Sequence, residues 1–229
     1  MKRLLLVMIV LGSAGALTAQ ASTLKAKPPF QPAEVRLVPE TSTWNTCVGA
    51  GTVVMDTLIT ETGELKQVEV RRDVACFTQF AVQNVKTWKF SPATFAGKAV
   101  ASRVPVAVTF DTLPPSGEPV IPSPLIPQSA AAIQAEFQPA EVTRMLLPHS
   151  HPGYTRAEGM VVLEITLSEK GEAEEFKVLR DLPPFTEGAR AAVGDWRFLP
   201  ATFNGRPVQS KIVLAFVSPP FVPPKPNPE

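Results

Sequence analysis

The sequence predicts an α+β protein made of two tandem β-β-α-β domains, each a three-stranded antiparallel and mixed sheet in the order 2-1-3, with one helix packed on one face. Three observations support this prediction. Residues 85–98, VKTWKFSPATFAGK, and residues 193–206, VGDWRFLPATFNGR, are identical at eight of fourteen positions with a spacing of 108. Self-similarity at a fixed spacing marks a duplicated unit. Within each unit, apolar residues alternate along two strands and then recur at helical spacing.

Each unit begins with a β-hairpin. Alternating side chains predict a half-buried first strand, and a glycine turn followed by a second alternating run predicts its antiparallel partner. In the first unit the inward positions and turn glycine are Val53, Met55, Thr57, Ile59, Gly63, Val68 and Val70. In the second unit they are Val161, Leu163, Ile165, Leu167, Gly171, Phe176 and Val178.

A helix and a last strand complete each unit. Apolar side chains recur at the spacing of one helix face at Phe77, Phe80, Ala81, Val85 and Trp88, and again at Phe185, Ala189, Val193 and Trp196. We expect both tryptophans in the core rather than on a ligand platform. The helix returns the chain, so the last strand should lie beside the first through a right-handed crossover. The last strand is then an exposed edge.

The segments outside these units differ in composition. Residues 1–21 have a basic start, an apolar run too short to span a bilayer and a small-residue cleavage site, as in a cleaved secretory signal. We place one domain at 28–111 and the other at 137–217. Proline-rich residues 112–136 and 218–229 are predicted to be an extended linker and a tail. The formal net charge of +1 argues against a nucleic acid partner.

The two cysteines, Cys47 and Cys76, flank the first hairpin. Pairing across its turn brings these two positions close together, and an oxidising envelope compartment favours a disulfide. Such a bond should stabilise the small domain. A redox-active pair is the alternative, but the Cys-x-x-Cys spacing is missing.

Both units resemble the C-terminal domain of TonB. The resemblance runs from Gly51 to Phe110 and from Gly159 to Phe216, and it includes the glycine-turned hairpin and the Trp-basic-Phe-x-Pro-Ala element. It implies a periplasmic β-β-α-β domain that grips outer-membrane transporters by adding a peptide strand to its edge strand. An unpaired edge allows such addition, since its free backbone groups can bond a guest chain.

The last strand of each unit is therefore the predicted peptide-binding edge. The predicted residues are Val104, Val106 and Val108 in the first unit and Ile212, Val213, Leu214, Ala215 and Phe216 in the second. Pro105 has no N–H to donate, whereas its counterpart is Val213. We therefore expect the second unit to be the better strand acceptor. The alternative is that proline-rich segments cover both edges.

The sequence favours a binding role over catalysis. It contains no nucleophile elbow, phosphate loop or HExxH motif, so we expect no catalytic residue, metal or cofactor. The pair His149 and His151 could ligate a metal only with further donors. The leading hypothesis is a periplasmic adaptor that binds an extended peptide of an envelope or outer-membrane transport protein. The alternatives are an energy transducer that keeps its N-terminal segment as a membrane anchor, and a structural module that associates with itself, with a homodimer as one form.

Overall fold

The computed structural model describes residues 29–40, 47, 51–110, 125–129, 136–145 and 158–218. The predicted signal, most of the predicted linker and the tail beyond Ser218 lie outside the described residues, as do His149 and His151. In the described ranges, no helix has the length and apolar character that crossing a membrane requires.

The described residues of the first unit form eight strands and one helix. They are β1 (Phe30–Gln31), β2 (Glu34–Leu37), β3 (Gly51–Ile59), β4 (Leu65–Arg72), α1 (Phe77–Val85), β5 (Lys89–Ser91), β6 (Ala93–Phe95), β7 (Lys98–Val100) and β8 (Ser102–Phe110). The second unit repeats this order with β9 (Phe137–Gln138), β10 (Glu141–Arg144), β11 (Gly159–Leu167), β12 (Ala173–Arg180), α2 (Phe185–Gly194), β13 (Arg197–Leu199), β14 (Ala201–Phe203), β15 (Arg206–Val208) and β16 (Ser210–Ser218).

The long strands form one six-stranded sheet in the order β12-β11-β16-β8-β3-β4. Each half of this sheet has the predicted order 2-1-3, and the last strand of each unit is antiparallel to the first. The predicted β-β-α-β fold class is thus confirmed in both units. The two halves join through β8 and β16, which pair in parallel from Val106 opposite Val213 to Phe110 opposite Val217. The last strands are therefore central, and the prediction that they are exposed edges is wrong.

Helices α1 and α2 cover opposite faces of this sheet. Phe110 of β8 stacks on Phe77 of α1, and Phe216 of β16 contacts Trp196 directly after α2. The register pairs Phe216 with Thr109, the neighbour of Phe110. Because side chains alternate between faces along a strand, Phe110 and Phe216 point in opposite directions. Helix α1 therefore packs on one face of the sheet and α2 packs on the other face.

The short strands form four smaller sheets in the described part of the chain. β2 pairs with β5, and β1-β6-β7 form a small sheet of the first unit; β10 with β13 and β15-β14-β9 are the corresponding sheets of the second. The two small three-stranded sheets meet where Phe30 stacks on Phe137 with ring centroids 5.3 Å apart. Trp88 and Trp196 are buried, as expected.

The predicted disulfide is confirmed. Cys47 and Cys76 are bonded, with Cα atoms 5.8 Å apart. The bond ties the residues before β3 to the start of α1, across the hairpin whose register predicted the pairing.

Candidate functional site

The predicted edge residues lie in the middle of the sheet. Val104, Val106 and Val108 sit in β8, between β3 and β16, and Ile212, Val213, Leu214, Ala215 and Phe216 sit in β16, between β11 and β8. All eight are buried. Pro105 does not disturb the pairing of the two units, since the parallel ladder begins one residue later, at Val106. Neither strand can accept a guest, because the other unit already occupies the position that a peptide would take.

A buried ion cluster locks the first unit onto the second. The Lys211 ammonium of β16 lies 2.9 Å from Glu164 Oε1 of β11 and 2.9 Å from Glu34 Oε1 of β2. The backbone N–H of Val35 donates to Glu164 Oε2 over 2.8 Å. Glu164 is 1% exposed, so these contacts replace the water that its carboxyl group would otherwise bind. Strand β2, near the start of the first unit, therefore contacts the half of the sheet that belongs to the second unit.

The protonation equilibria of this cluster reflect the same contacts. Burial alone would lower the pKa of Lys211, but its hydrogen bonds to Glu164 and Glu34 outweigh burial and raise that pKa above the ordinary value. Burial would raise the pKa of Glu34, but the hydrogen bond and charge of Lys211 lower it below the ordinary value. Both groups are therefore held in their charged forms.

A matching cluster ties the second unit back to the first. Arg71 of β4 lies 2.6 Å from Asp56 Oδ2 of β3 and 3.1 Å from Glu141 Oε1 of β10. Burial works against the charge on Arg71, but these acids raise its pKa. Glu141 and Glu34 occupy the same place in the two FQPAEV segments, at 137–142 and 30–35. The glutamate of each FQPAEV segment thus forms an ion pair with a residue of the other unit.

The outer edges of the sheet are β4 and β12, and a segment of the chain itself contacts β4. The N–H of Ile126 donates to the backbone oxygen of Arg71 over 2.6 Å, and Arg71 Nε donates to the oxygen of Ile126 over 2.7 Å. Ser129 N–H donates to Glu69 Oε1 over 2.7 Å. Residues 125–129 therefore occupy part of this edge.

The opposite edge, β12, has β11 as its one ladder neighbour among the described residues. Its regular stretch runs from Glu175 to Val178, between two irregularities of register. Lys177 is 49% exposed, and Val178 is also exposed. Near the end of the strand, the Arg180 guanidinium donates to the oxygen of Pro39 over 3.1 Å. β12 is thus the open backbone edge in the described part of the sheet.

A cleft lies beside the turn that precedes β12. Its volume is about 460 Å³, and its lining includes Phe30, Phe95, Phe203 and Arg206. Gln209, on its wall, donates to Glu174 Oε2 over 3.1 Å and so connects the cleft to β12. The described ranges bring together no group of three or more His, Cys, Asp or Glu side chains that could hold a metal.

Residues 49–112 and 154–217 each match the family model for the C-terminal region of the Gram-negative bacterial TonB protein, and together the matches span more than half of the chain. The chain belongs to the TonB C-terminal family. No curated protein and no solved structure matches the chain. The family is periplasmic, non-enzymatic and associated with transport, and its domains interact with outer-membrane transporters.

The two TonB C-terminal domains of this chain share one continuous sheet. Their last strands pair with each other, and the strands left at the outside are the second strands of the two hairpins, β4 and β12. The predicted order 2-1-3 already places the second strand of each unit at an edge, but peptide binding was predicted for the last strand alone.

Proposed function

We propose that this protein is a periplasmic binding or adaptor module that pairs an extended segment of an envelope or outer-membrane transport protein with the β12 edge. One observation supports the proposal above all others: in the six-stranded sheet, β12 is the edge strand whose outer side no described segment pairs with. Extended peptides bind such edges through main-chain hydrogen bonds, and side chains on the two faces supply specificity. Family membership supports the class of partner.

The contact at β4 supports this mode of binding. Residues 125–129 meet that strand through the backbone of Ile126 and through Ser129, as a guest peptide would. At β12 the positions equivalent to Glu69 and Arg71 are Lys177 and Leu179. A guest at β12 would therefore meet a cation and an apolar side chain where residues 125–129 meet a carboxylate and a guanidinium.

Site-specific photo-crosslinking in cells tests the proposal. A photoreactive residue at Lys177 should give an adduct with a second envelope protein, whereas the matched position Glu69 should cross-link to the chain's own residues 125–129. The captured segment, made as a synthetic peptide, should slow amide hydrogen exchange in 173–180. Protection elsewhere, or the same adduct from both positions, would contradict the proposal.

Location and maturation are part of the proposal. We infer export through the inner membrane with cleavage near Ala21, which the composition of residues 1–21 supports. The mass of the N-terminus in isolated protein tests this. A chain that begins near Ser22 fits a free periplasmic adaptor, and a retained Met1 favours the anchored energy transducer.

A purely structural role is the second candidate. The observation that favours it is the central pairing of β8 with β16, which uses the strands that would otherwise bind a guest. A structural module would give no adduct with another protein from Lys177, so the same experiment separates the two functions.

A further inference from the structure

The exposed part of β12 carries opposite charges placed symmetrically about one residue. Glu175 and Lys177 flank Phe176, and the ladder pairs them with Thr166 and Glu164 on β11. Alternation along the strand puts both charged side chains on one face and Phe176 on the other. If a second copy of this stretch pairs antiparallel with the first and the pairing is centred on Phe176, each charged residue of one copy therefore faces the oppositely charged residue of the other.

We propose that β12 is also a self-association edge, on which the β12 strands of two copies pair antiparallel about a two-fold axis at Phe176. In this register each Glu175 lies opposite the partner's Lys177, and the two phenylalanines lie opposite each other. Opposite charges at directly facing positions stabilise an antiparallel pair, and a two-fold axis makes each such contact occur twice. The inference rests on the proposed strand addition at β12 and names a second copy as the partner in the absence of a client peptide.

Registers shifted by one residue are less complementary. One shift places Phe176 opposite Lys177 and Glu175 opposite Val178, so neither charge meets its opposite. The other shift places Glu175 opposite Phe176 and uses Glu174, which lies at a ladder irregularity outside the regular stretch and already accepts a hydrogen bond from Gln209. Natural edges usually repel second copies with charges. On β12 the charges do the reverse, because they form a self-complementary pattern.

The equivalent edge of the first unit does not have this property. The residues of β4 that match Glu175, Phe176 and Lys177 are Gln67, Val68 and Glu69. Self-pairing centred on Val68 would place a neutral amide against a carboxylate, and Glu69 already pairs with Arg103 and Ser129. We therefore expect pairing at one edge of the molecule, which gives a closed dimer rather than a filament.

Sedimentation of the full chain over a concentration series tests the proposal. The wild type should dimerise, and E175K and K177E should each weaken the dimer by at least about tenfold, because each reversal creates two like-charge contacts. Mixing the two variants should restore dimers, since every facing pair is then again of opposite charge. Q67K on β4 should leave the dimer unchanged.

The mixture also controls for folding. Lys177 lies 3.7 Å from Glu164, so K177E could disturb the monomer, and recovery on mixing excludes that explanation. A monomeric wild type, a dimer indifferent to both reversals, or no recovery on mixing would overturn the inference. A monomer that still captures an envelope peptide at Lys177 would remove this inference and leave the proposed function. A wild-type dimer that is restored when the two variants are mixed, without any peptide adduct at Lys177, would support this inference and contradict the proposed function.

Discussion

Replacing Lys211 by alanine should lower the free energy of unfolding by about 3–5 kcal/mol, the range found when one partner of a buried ion pair is removed. The cost arises at Glu164, which is 1% exposed and would keep only the Val35 N–H and the distant, half-exposed Lys177. Glu34 would lose its ion pair across the unit boundary as well. Urea unfolding followed by far-ultraviolet circular dichroism measures the change.

The duplicated fold supplies a matched control at Arg103, the position equivalent to Lys211. Its partner Glu69 is 13% exposed and keeps hydrogen bonds from Ser129, while the buried Asp56 keeps Arg71 at 2.6 Å. Arg103→Ala should therefore cost less, about 1.5–3 kcal/mol, the loss of one charge-assisted hydrogen bond.

A double variant separates lost charge pairing from lost packing. Lys211→Met combined with Glu164→Gln removes both charges, keeps an acceptor oxygen for the Val35 N–H and should recover most of the stability, because neutral side chains of similar volume often replace buried ion pairs without loss. A cost below about 1 kcal/mol for Lys211→Ala, or equal costs at positions 211 and 103, would refute the role assigned to Glu164.

Three further outcomes follow from the structure. Removing the disulfide by Cys47→Ser and Cys76→Ser should lower stability by about 3 kcal/mol in denaturant unfolding, given the sequence separation of 29, and reductant should have the same effect on the wild type but none on the variant. Gly171→Ala should cost clearly more than Gly205→Ala: both have positive φ, worth about 1–2 kcal/mol, but a Cβ at 171 would meet the Phe198 oxygen at 2.5 Å and one at 205 meets nothing. The raised pKa of Lys211 stabilises the fold below its ordinary value of 10.5, so the stability difference between wild type and Lys211→Met should shrink as pH rises through the folded pKa.

The order of elements within one unit could be predicted from the sequence because local signals determine it. Alternation, a glycine turn and helical spacing gave β3, β4 and α1, and handedness of the crossover gave the position of β8. The cysteine pairing followed from the hairpin register. The short strands β1, β2 and β5–β7 are too brief for a periodic signal, and none was predicted.

The position of the last strands could not be predicted from one unit alone, because their pairing joins residues more than a hundred positions apart. One signal was present in the sequence. Residues 212–217, IVLAFV, are apolar at every position, whereas a strand with one solvated face alternates. A continuous apolar run is typical of a strand buried on both faces, so it favoured a central position for β16.

The ion clusters between the units were not predicted for a similar reason. The duplication of FQPAEV indicated a repeated structural element but did not indicate that each copy contacts the other unit. Glu34 and Glu141 are exchanged between units, and only the fused sheet brings Glu34 to Lys211 and Glu141 to Arg71.

The fused sheet makes a final prediction about cooperativity: the two units should unfold together. Trp88 and Trp196 are each buried in one unit, so two reporters can be made, each keeping one of them, with phenylalanine at the other and at Trp44. Met55→Ala should destabilise the first unit by about 2–5 kcal/mol, because Met55 is fully buried in β3.

In the Met55→Ala background, the fluorescence midpoint of each reporter in urea should equal the far-ultraviolet circular dichroism midpoint of the same variant, since opening either unit breaks the β8–β16 ladder and the ion pairs of Lys211 with Glu34 and of Arg71 with Glu141. Fluorescence and dichroism midpoints that differ within one variant would contradict this. Separate transitions would mean that the units can part while one remains folded. The last strand of the folded unit would then be available to a guest, and peptide binding at β16 would again compete with binding at β12.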